Sequence, residues 1–207
     1  MSDFQINPLY EQIIEDLMQQ QYSIADDFFS AEEVAMLRNS LLAKYQEKNF
    51  KKSAIGNLSN EKIMEAVRGD FILWLDEEHT NEAESLYFDR INDFVHYLNR
   101  TCFLGIQDKE FHYALYPEGT FYQRHLDTFQ NDSRRKLSMV CYLNEENWQA
   151  DFGGELTIYT QENGSETALN ILPSQGRMVI FESQILEHEV KRVQKPRLSI
   201  AGWLKTR

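Results

Sequence analysis

Apolar residues recur at helical spacing in the first half of the chain and at strand spacing in the second half. A capping box of Ser30 and Glu33 opens the clearest predicted helix, and a second amphipathic segment begins near Thr80. A weaker helix is predicted over Pro8–Gln20, and the polar segment Lys48–Asn60 predicts a loop. The two helical faces consist of Val34, Leu37, Leu41 and Tyr45, and then of Tyr87, Ile91, Phe94, Val95 and Leu98.

From Glu110 onward, short runs rich in β-forming residues alternate with glycine or polar turns, and no helical period intervenes. Short strands at a spacing of roughly 8–15 residues are typical of an antiparallel sandwich or barrel. We therefore predict an α+β fold in which two or three helices pack against a β-sandwich. The predicted strands are Phe111–Tyr116, Leu137–Leu143, Glu155–Tyr159, Ala168–Leu172, Met178–Phe181, Glu187–Val190 and Leu198–Leu204.

Length and charge narrow the possible functions. The 207 residues suit a single domain, which we predict to span 1–207. A net charge of -12 repels phosphate backbones and anionic lipid, so neither nucleic acid nor a membrane is an expected partner. No run approaches the ~18 apolar residues of a membrane span, which favours a cytoplasmic protein. Cys102 and Cys141 lie among apolar residues and are predicted to be buried and reduced.

A pair of metal-ligating residue types, His125 and Asp127, stands two positions apart in the β-rich half. Residues two apart in an extended segment point to the same face, so the imidazole and the carboxylate converge. A second histidine, His188, lies in a later predicted strand. Two imidazoles and one carboxylate form the facial triad of non-haem iron(II) oxygenases, with zinc as the alternative metal.

Arg197 follows His188 by nine residues. If the chain turned symmetrically about Arg192 and Val193, His188 and Arg197 would lie opposite each other, with Cβ atoms ~5 Å apart. The guanidinium would then reach deeper into the same pocket, where it would suit a dicarboxylate that chelates the metal with its other end. Ser199 would face the same way and add a hydroxyl.

Longer motifs around these residues resemble those of the 2-oxoglutarate prolyl hydroxylases, specifically the bacterial relatives of the animal hypoxia-factor prolyl hydroxylases. The resemblance extends from about Val67 to Trp203 and implies a double-stranded β-helix, or jelly roll, with N-terminal supporting helices. Residues 1–105 would then form the helical support and a substrate loop, and 106–207 the jelly-roll core. The matching stretches are Val67–Trp74, Tyr116–Asp127, Cys141–Asn144, Gly153–Leu156 and Arg197–Trp203.

The resemblance also implies cofactors and residue roles. Fe(II), 2-oxoglutarate and dioxygen would take part, with ascorbate as a reductant, and a prolyl residue of a protein would be hydroxylated. The implied metal ligands are His125, Asp127 and His188. The implied 2-oxoglutarate contacts are Arg197, Tyr142, Tyr116, Ser199 and Leu156, and the implied substrate contacts are Arg68, Asp70, Trp74, Tyr122, Arg135 and Trp203. An Asp70–Arg135 ion pair would hold the substrate loop.

Other functions stay open at this point. A 2-oxoglutarate oxygenase of a free amino acid or another small molecule would keep the same metal site and would have a closed pocket. A non-catalytic, cupin-like metal-binding module would keep the histidines but would not need Arg197. A nucleic-acid demethylase is disfavoured by the charge and by Trp203, which stands where that family carries a second arginine. We expect a monomer or weak homodimer. The resemblance to bacterial members of the family implies that the target is a prolyl residue in a translation factor of the elongation-factor Tu type.

Overall fold

Within the part of the chain that the structure describes, three α-helices form the N-terminal layer. The computed structural model describes residues 5–53, 67–128, 133–162 and 164–207. Each helix begins at a side-chain cap, because the first N–H groups of a helix have no intrahelical acceptor. Ser30 with Glu33 and Asn81 with Glu84 form capping boxes, and Asn7 caps the first helix. The helices are α1 (Pro8–Gln20), α2 (Ala31–Gln46) and α3 (Glu82–Cys102).

Both strongly predicted helical faces are buried. Val34, Leu37 and Leu41 of α2 are fully enclosed, whereas Tyr45 at its end stays 37% exposed. In α3, Ile91 belongs to the same hydrophobic cluster as residues of the β-sheet. Burial of these apolar side chains is the main term that stabilises the helical layer, at roughly 25 cal/mol for each Å² of apolar surface removed from water. The helices therefore cover one face of the sheet and leave the other face for a site.

Eleven strands are assigned within the described ranges, and they form two antiparallel sheets. The major sheet has seven strands in the order β1-β9-β6-β11-β4-β3-β2, and the minor sheet has four in the order β5-β10-β7-β8. The strands are β1 (Tyr22–Ala25), β2 (Lys51–Lys52), β3 (Phe71–Trp74), β4 (Asp108–Tyr116), β5 (Tyr122–His125), β6 (Arg135–Tyr142), β7 (Leu156–Glu162), β8 (Ser165–Ile171), β9 (Met178–Glu182), β10 (His188–Val190) and β11 (Arg197–Lys205).

The predicted α+β, jelly-roll-like architecture is confirmed, with corrections in detail. Strands β1, β2, β3 and β5 were not among the predicted strands, and β2 lies within the predicted loop Lys48–Asn60. Of the predicted loop Lys48–Asn60, the part from residue 54 onward lies outside the described residues. Cys141 is buried as predicted, but Cys102 is only partly covered. Among the described residues, no helix is long and apolar enough to cross a membrane.

The predicted hairpin between His188 and Arg197 is wrong. His188 lies in β10 of the minor sheet, whereas Arg197 begins β11 of the major sheet. The residue opposite His188 is His125 on one side and Ile158 on the other, and the residue opposite Arg197 is Tyr116. The intervening segment crosses from one sheet to the other, so the two side chains approach the site from different layers.

Candidate active site

His125, Asp127 and His188 converge between the two sheets. His125 and His188 are direct cross-strand partners on β5 and β10, with ring centroids 4.3 Å apart. Each imidazole Nε2 lies 3.5 Å from a carboxylate oxygen of Asp127. One donor atom from each residue lies within 4.8 Å of the other two, which is the spacing that a single metal ion requires. The three residues therefore form a group that could hold a metal.

Hydrogen bonds fix the orientation of these three groups. The Nδ1 atom of His125 lies 2.7 Å from the Gln123 carbonyl, and that of His188 lies 3.2 Å from the Leu186 carbonyl. Because Nδ1–H donates to a carbonyl, the lone pair of each Nε2 faces the centre of the group. The Ser138 hydroxyl donates to Asp127 Oδ2 at 2.7 Å. Both imidazoles and the carboxylate are thus aimed before any ligand arrives.

The protonation states also suit a cation. Burial alone would raise the pKa of Asp127, but the facing His188 and His125 rings and the Ser138 hydroxyl hold it well below its usual range. Burial lowers the pKa of His188 to about 4, against the opposing effect of Asp127. At neutral pH, Asp127 is therefore ionised and His188 is neutral. These are the forms that bind a divalent metal.

Arg197 lies at the inner end of the space between the sheets, and its side chain is nearly fully buried. Its Nε atom has no hydrogen-bond partner among the described residues, and neither has the hydroxyl of Tyr142. The guanidinium carbon lies 4.8 Å from the centroid of the Tyr142 ring and 5.1 Å from that of the Tyr116 ring. Its Nη1 lies 3.4 Å from the hydroxyl of Ser199, as the shared strand face predicted.

Gly154 leaves room for the Arg197 side chain, and the adjacent Gly153 leaves room for the backbone of Arg192. Gly154 has a φ of +74°, and a Cβ added there would lie 3.0 Å from Arg197 Cδ. At Gly153, an added Cβ would lie 2.2 Å from the Arg192 carbonyl oxygen. Only glycine adopts this backbone conformation readily and tolerates such a close approach. Leu156, two residues beyond Gly154, packs in a hydrophobic cluster that also contains Tyr142.

Arg68 and Asp70 form a buried ion pair at the outer end of the site. The guanidinium donates to both carboxylate oxygens, at 2.8 and 2.6 Å, and Asp70 is fully enclosed. The predicted Asp70–Arg135 pair is therefore wrong. Arg135 instead donates twice to Glu110, at 3.0 and 2.6 Å. Arg68 is the partner because it lies only two residues from Asp70, where its planar guanidinium can donate to both carboxylate oxygens.

The Arg68 segment contacts a candidate metal ligand through one aromatic ring. The Arg68 guanidinium carbon lies 4.3 Å from the centroid of the Tyr122 ring, and that ring stacks on His125 at 3.7 Å. Backbone hydrogen bonds join the same segment to β5, from Gln123 N to the Val67 carbonyl and from Gly69 N to the Phe121 carbonyl. Two of the substrate residues implied by the motif, Arg68 and Tyr122, thus lie against or on the strand that carries His125.

Trp74, Trp203 and His112 form an aromatic cluster on the same face of the major sheet. The Trp74 and His112 rings are 4.8 Å apart, and the His112 and Trp203 rings 5.6 Å apart. The Arg135 guanidinium carbon lies 3.4 Å from the centroid of the Trp203 ring, and Trp74 is half exposed. Trp74 and Trp203 therefore belong to one contiguous surface, with ring centroids 6.3 Å apart.

His112 was missed by the sequence reasoning. It is 3% exposed, its Nδ1 has no hydrogen-bond partner among the described residues, and burial lowers its pKa to about 3. No motif surrounds it, and a lone histidine in an apolar strand is usually part of the core. The signal available in the sequence was its position, since it lies four residues before Tyr116 and thus on the same strand face.

Comparisons with known proteins decide the family. The model of the 2OG-Fe(II) oxygenase superfamily matches residues 111–205. A prolyl 4-hydroxylase of Pseudomonas putida is 34% identical and matches with a TM-score of 0.85, over 97% of this chain and all of that one. This chain belongs to the 2OG-Fe(II) oxygenase superfamily. Within it, the chain is a dioxygenase of the prolyl 4-hydroxylase type, which disfavours the non-catalytic, cupin-like alternative.

Two further relatives of this oxygenase are informative. A prolyl hydroxylase of Trichoplax adhaerens, solved in complex with a peptide of hypoxia-inducible factor, is 27% identical with a TM-score of 0.84, covering 95% of this chain and 89% of that one. A prolyl 3,4-dihydroxylase of Ostreococcus tauri is 29% identical over 89% of this chain. The chain spans 37% of the length of that curated relative.

The residues present fit the groups that this oxygenase family uses, namely Fe(II), 2-oxoglutarate and dioxygen. Two imidazoles and one carboxylate on one side of an ion are the donor set typical of a non-haem Fe(II) site. A buried Arg197 Nε without an acceptor, beside a cradle that only glycine leaves open, suits a carboxylate ligand. Both observations concern atoms of this chain and agree with the family assignment.

Proposed function

We propose that this oxygenase hydroxylates a prolyl residue in a protein substrate. The observation that carries the proposal is the aromatic surface of Trp74, His112 and Trp203, which lies on the sheet face beside the metal triad and opens to solvent at Trp74. An open, aromatic mouth suits a peptide that carries a proline ring. The similarity to prolyl hydroxylases of Pseudomonas putida and Trichoplax adhaerens supports the same assignment.

In this proposal the buried groups divide into two sets. His125, Asp127 and His188 hold Fe(II), for which the separation of the three residues and the protonation states of Asp127 and His188 are suitable. Arg197 binds the distal carboxylate of 2-oxoglutarate, because its unpaired Nε can donate to a carboxylate oxygen. The residues proposed to line the co-substrate pocket with it are Tyr142, Tyr116, Ser199 and Leu156.

Bound Fe(II) and 2-oxoglutarate would activate dioxygen, of which one oxygen atom enters succinate, with loss of carbon dioxide, and the other enters the substrate. The chain contributes orientation. Ser138 keeps the Asp127 carboxylate aimed at the metal position, and the carbonyls of Gln123 and Leu186 hold the two imidazoles in one tautomer. His188 is buried and Asp127 is largely covered, which limits the access of water to the centre.

The outer residues position the substrate in two different ways. Trp74 and Trp203 offer ring faces on which a prolyl ring can pack. Both faces of Tyr122 are covered, by Arg68 and by His125, so its proposed contact with the substrate is at the ring edge. Arg68, Asp70 and Arg135 are already engaged in ion pairs with neighbours or with each other, so their proposed role is to hold the shape of the mouth. A free amino acid needs no such extended surface, which favours a protein over a small molecule.

Mass spectrometry of cell extract tests the proposal directly. Extract is incubated with the iron-loaded enzyme and 2-oxoglutarate, and in parallel with Asp127→Ala. We expect a shift of about +16 Da, one added oxygen atom, on a proline in the wild-type sample alone. A factor of the elongation-factor Tu type is the first candidate to inspect, because the motif resemblance suggests it. A second +16 Da on the same residue would indicate dihydroxylation, as in the name of the Ostreococcus relative.

Enzyme-dependent oxidation of a free amino acid, with no proline modified in any protein, would contradict the proposal. The cytoplasmic location, the monomeric or weakly dimeric state and the absence of nucleic-acid binding remain predictions from the sequence. Size-exclusion chromatography with light scattering checks the oligomeric state.

A further inference from the structure

Arg124 makes contacts across the whole minor sheet, on the face opposite to the metal triad. It lies on β5 directly before His125, and its side chain is 36% exposed. Its guanidinium donates to Glu166 of β8 at 2.9 and 2.6 Å, and its Nε donates to Glu187 beside β10 at 2.9 Å. The guanidinium carbon lies 3.8 Å from the centroid of the Tyr159 ring on β7. One side chain from an edge strand therefore contacts residues of the other three strands or directly beside them.

A second set of contacts continues this network along β10. The Tyr159 hydroxyl donates to Glu189 at 2.5 Å, and Lys191 forms an ion pair with the same carboxylate. Glu187 and Glu189 are the residues on either side of His188 in the sequence. The outer network is thus anchored immediately next to both candidate imidazole ligands, on strands whose inner faces carry them.

The backbone alone holds these two strands together weakly. The pairing of β5 with β10 has only two Cα partners, with a register shift between His188 and Val190. By comparison, β7 and β8 share seven consecutive partners in regular register. Ladder hydrogen bonds fix the relative position of neighbouring strands, so a short and irregular ladder leaves that position less determined. Two of the three candidate metal ligands lie at this junction.

We propose that Arg124 is a positioning residue that sets the separation of His125 and His188 and thereby the metal affinity of the site. The inference rests on the metal role assigned to these histidines under the proposed function, but not on the identity of the substrate. Exposed ion pairs in isolation contribute little to stability. A bidentate guanidinium that is also stacked on a ring and shared between two carboxylates holds a defined geometry, and geometry is what a metal site requires.

The test measures metal binding and not turnover. Co(II) is titrated into the metal-free full-length protein by calorimetry, and the visible absorption of bound Co(II) reports its coordination. Loss of residues that orient metal ligands typically weakens affinity by about 10–100-fold, and Arg124 acts one step further away. We therefore expect Arg124→Gln to weaken Co(II) binding roughly 5–20-fold and to alter the spectrum. Arg124→Lys, which keeps the charge without the fork, should be intermediate.

The matched control is Arg90→Gln. The Arg90 side chain is 38% exposed, donates to Glu33 and to the Phe28 carbonyl, and lies near the Phe29 ring, but it belongs to the helical layer. We expect Co(II) affinity and spectrum to stay at wild-type values in this variant. If Arg124 had a purely structural role, Arg124→Gln would behave like this control, with a lower melting temperature and an unchanged Co(II) affinity.

Two outcomes are kept apart by Asp127→Ala. If wild type binds Co(II), Asp127→Ala does not, and a folded Arg124→Gln binds within twofold of wild type, the inference about Arg124 is overturned while the metal site stands. If Asp127→Ala binds Co(II) as well as wild type, the proposed metal site itself fails. If Arg124→Gln does not fold, Glu187→Gln is tested instead, because it removes one of the two carboxylates that pair with Arg124. An unchanged Co(II) affinity in Glu187→Gln would equally overturn the inference.

Discussion

The arginines at the inner and outer ends of the cleft differ in whether a carboxylate of the protein pairs with them. At the inner end, Arg197 is buried, and no carboxylate among the described residues forms an ion pair with it. At the outer end, Arg68 is paired bidentately with Asp70, and Arg135 is paired with Glu110. A buried charge is costly unless it is paired, so an enclosed guanidinium without a carboxylate indicates a site for an anionic ligand. The paired guanidiniums instead hold the protein's own shape.

The comparison changes the meaning of the outer residues. The motif resemblance assigned Arg68, Asp70 and Arg135 to the substrate, which stays a prediction, and the contacts show that each also has a partner within the protein. A charge that is already paired is partly neutralised, so it attracts a ligand less strongly than an unpaired one. Arg197, with an unpaired Nε, is therefore expected to show its importance in binding, and Arg68 in folding.

The largest effect is expected from Arg68→Met. This change leaves Asp70, which is fully enclosed, without its main counter-charge. Removal of one partner of a buried ion pair typically costs about 3–5 kcal/mol of unfolding free energy. Urea unfolding at pH 7.5 measures the loss. Arg135→Met serves as the matched comparison, because Glu110 is 29% exposed and can be solvated, so the expected cost there is about 1 kcal/mol. Equal costs for the two variants would contradict the distinction.

Arg197→Met should weaken ligand binding without lowering the stability of the ligand-free protein. We expect 2-oxoglutarate affinity for the Mn(II)-loaded protein to fall by about 2 kcal/mol or more, a factor of roughly 30, because a desolvated charge–carboxylate contact is lost. The melting temperature of the ligand-free protein should not fall, since the change removes a buried guanidinium that has no carboxylate partner. Calorimetric titration under argon and thermal unfolding measure the two quantities. A variant that melts earlier yet binds 2-oxoglutarate normally would show that Arg197 is structural.

His112 should make the outer end sensitive to acid. Burial, aided by Arg68 and Arg135 and opposed by Asp70 and Asp127, lowers its pKa to about 3 from an ordinary value near 6.5. Between these values the unfolded chain binds a proton that the folded protein does not, so stability falls as pH falls, by up to about 1.4 kcal/mol per unit. His112→Phe should remove this component, which amounts to roughly 2 kcal/mol between pH 7.5 and 4.5. Parallel urea midpoints for wild type and variant over that range would contradict it.

Gly154→Ala should give the smallest effect, at the inner end. Its φ of +74° costs a residue with a Cβ about 1–2 kcal/mol, and the new methyl group would press on Arg197 Cδ. Gly164→Ala is the control, because its φ is +79° but no atom lies within 4 Å of the added Cβ. Both variants should lose similar stability. We expect weaker 2-oxoglutarate binding only in Gly154→Ala, and equal affinities would show that the glycine does not shape the pocket.

Features that depend on local order along the chain could be predicted from the sequence. The capping box at Ser30 was predicted from residues three apart, and α2 begins there; the box at Asn81 has the same spacing but was not predicted. The fold class followed from the strand-rich second half, and the convergence of His125 with Asp127 from the parity of an extended segment, although β5 itself ends at His125. Strand β5 escaped the pattern because its inward residues are polar, as a ligand-bearing strand requires, so no apolar alternation marks it.

Features that depend on which sheet a strand joins could not be predicted. A separation of nine residues between His188 and Arg197 fits a hairpin as well as a crossing between sheets, and only tertiary packing decides between them. The partner of Asp70 likewise depended on geometry in three dimensions, since both Arg68 and Arg135 were chemically suitable. His112 had no motif, and the Arg124 network joins residues more than sixty positions apart.

Turnover of 2-oxoglutarate tests the central claim most directly. Succinate formation is measured with Fe(II)-loaded wild type and with Asp127→Ala, each in air and under argon, in cell extract that supplies the protein substrate. We expect succinate only with wild type in air, together with newly formed hydroxyproline. Succinate formation by Asp127→Ala, or an iron-loaded wild type that neither binds nor consumes 2-oxoglutarate, would contradict it.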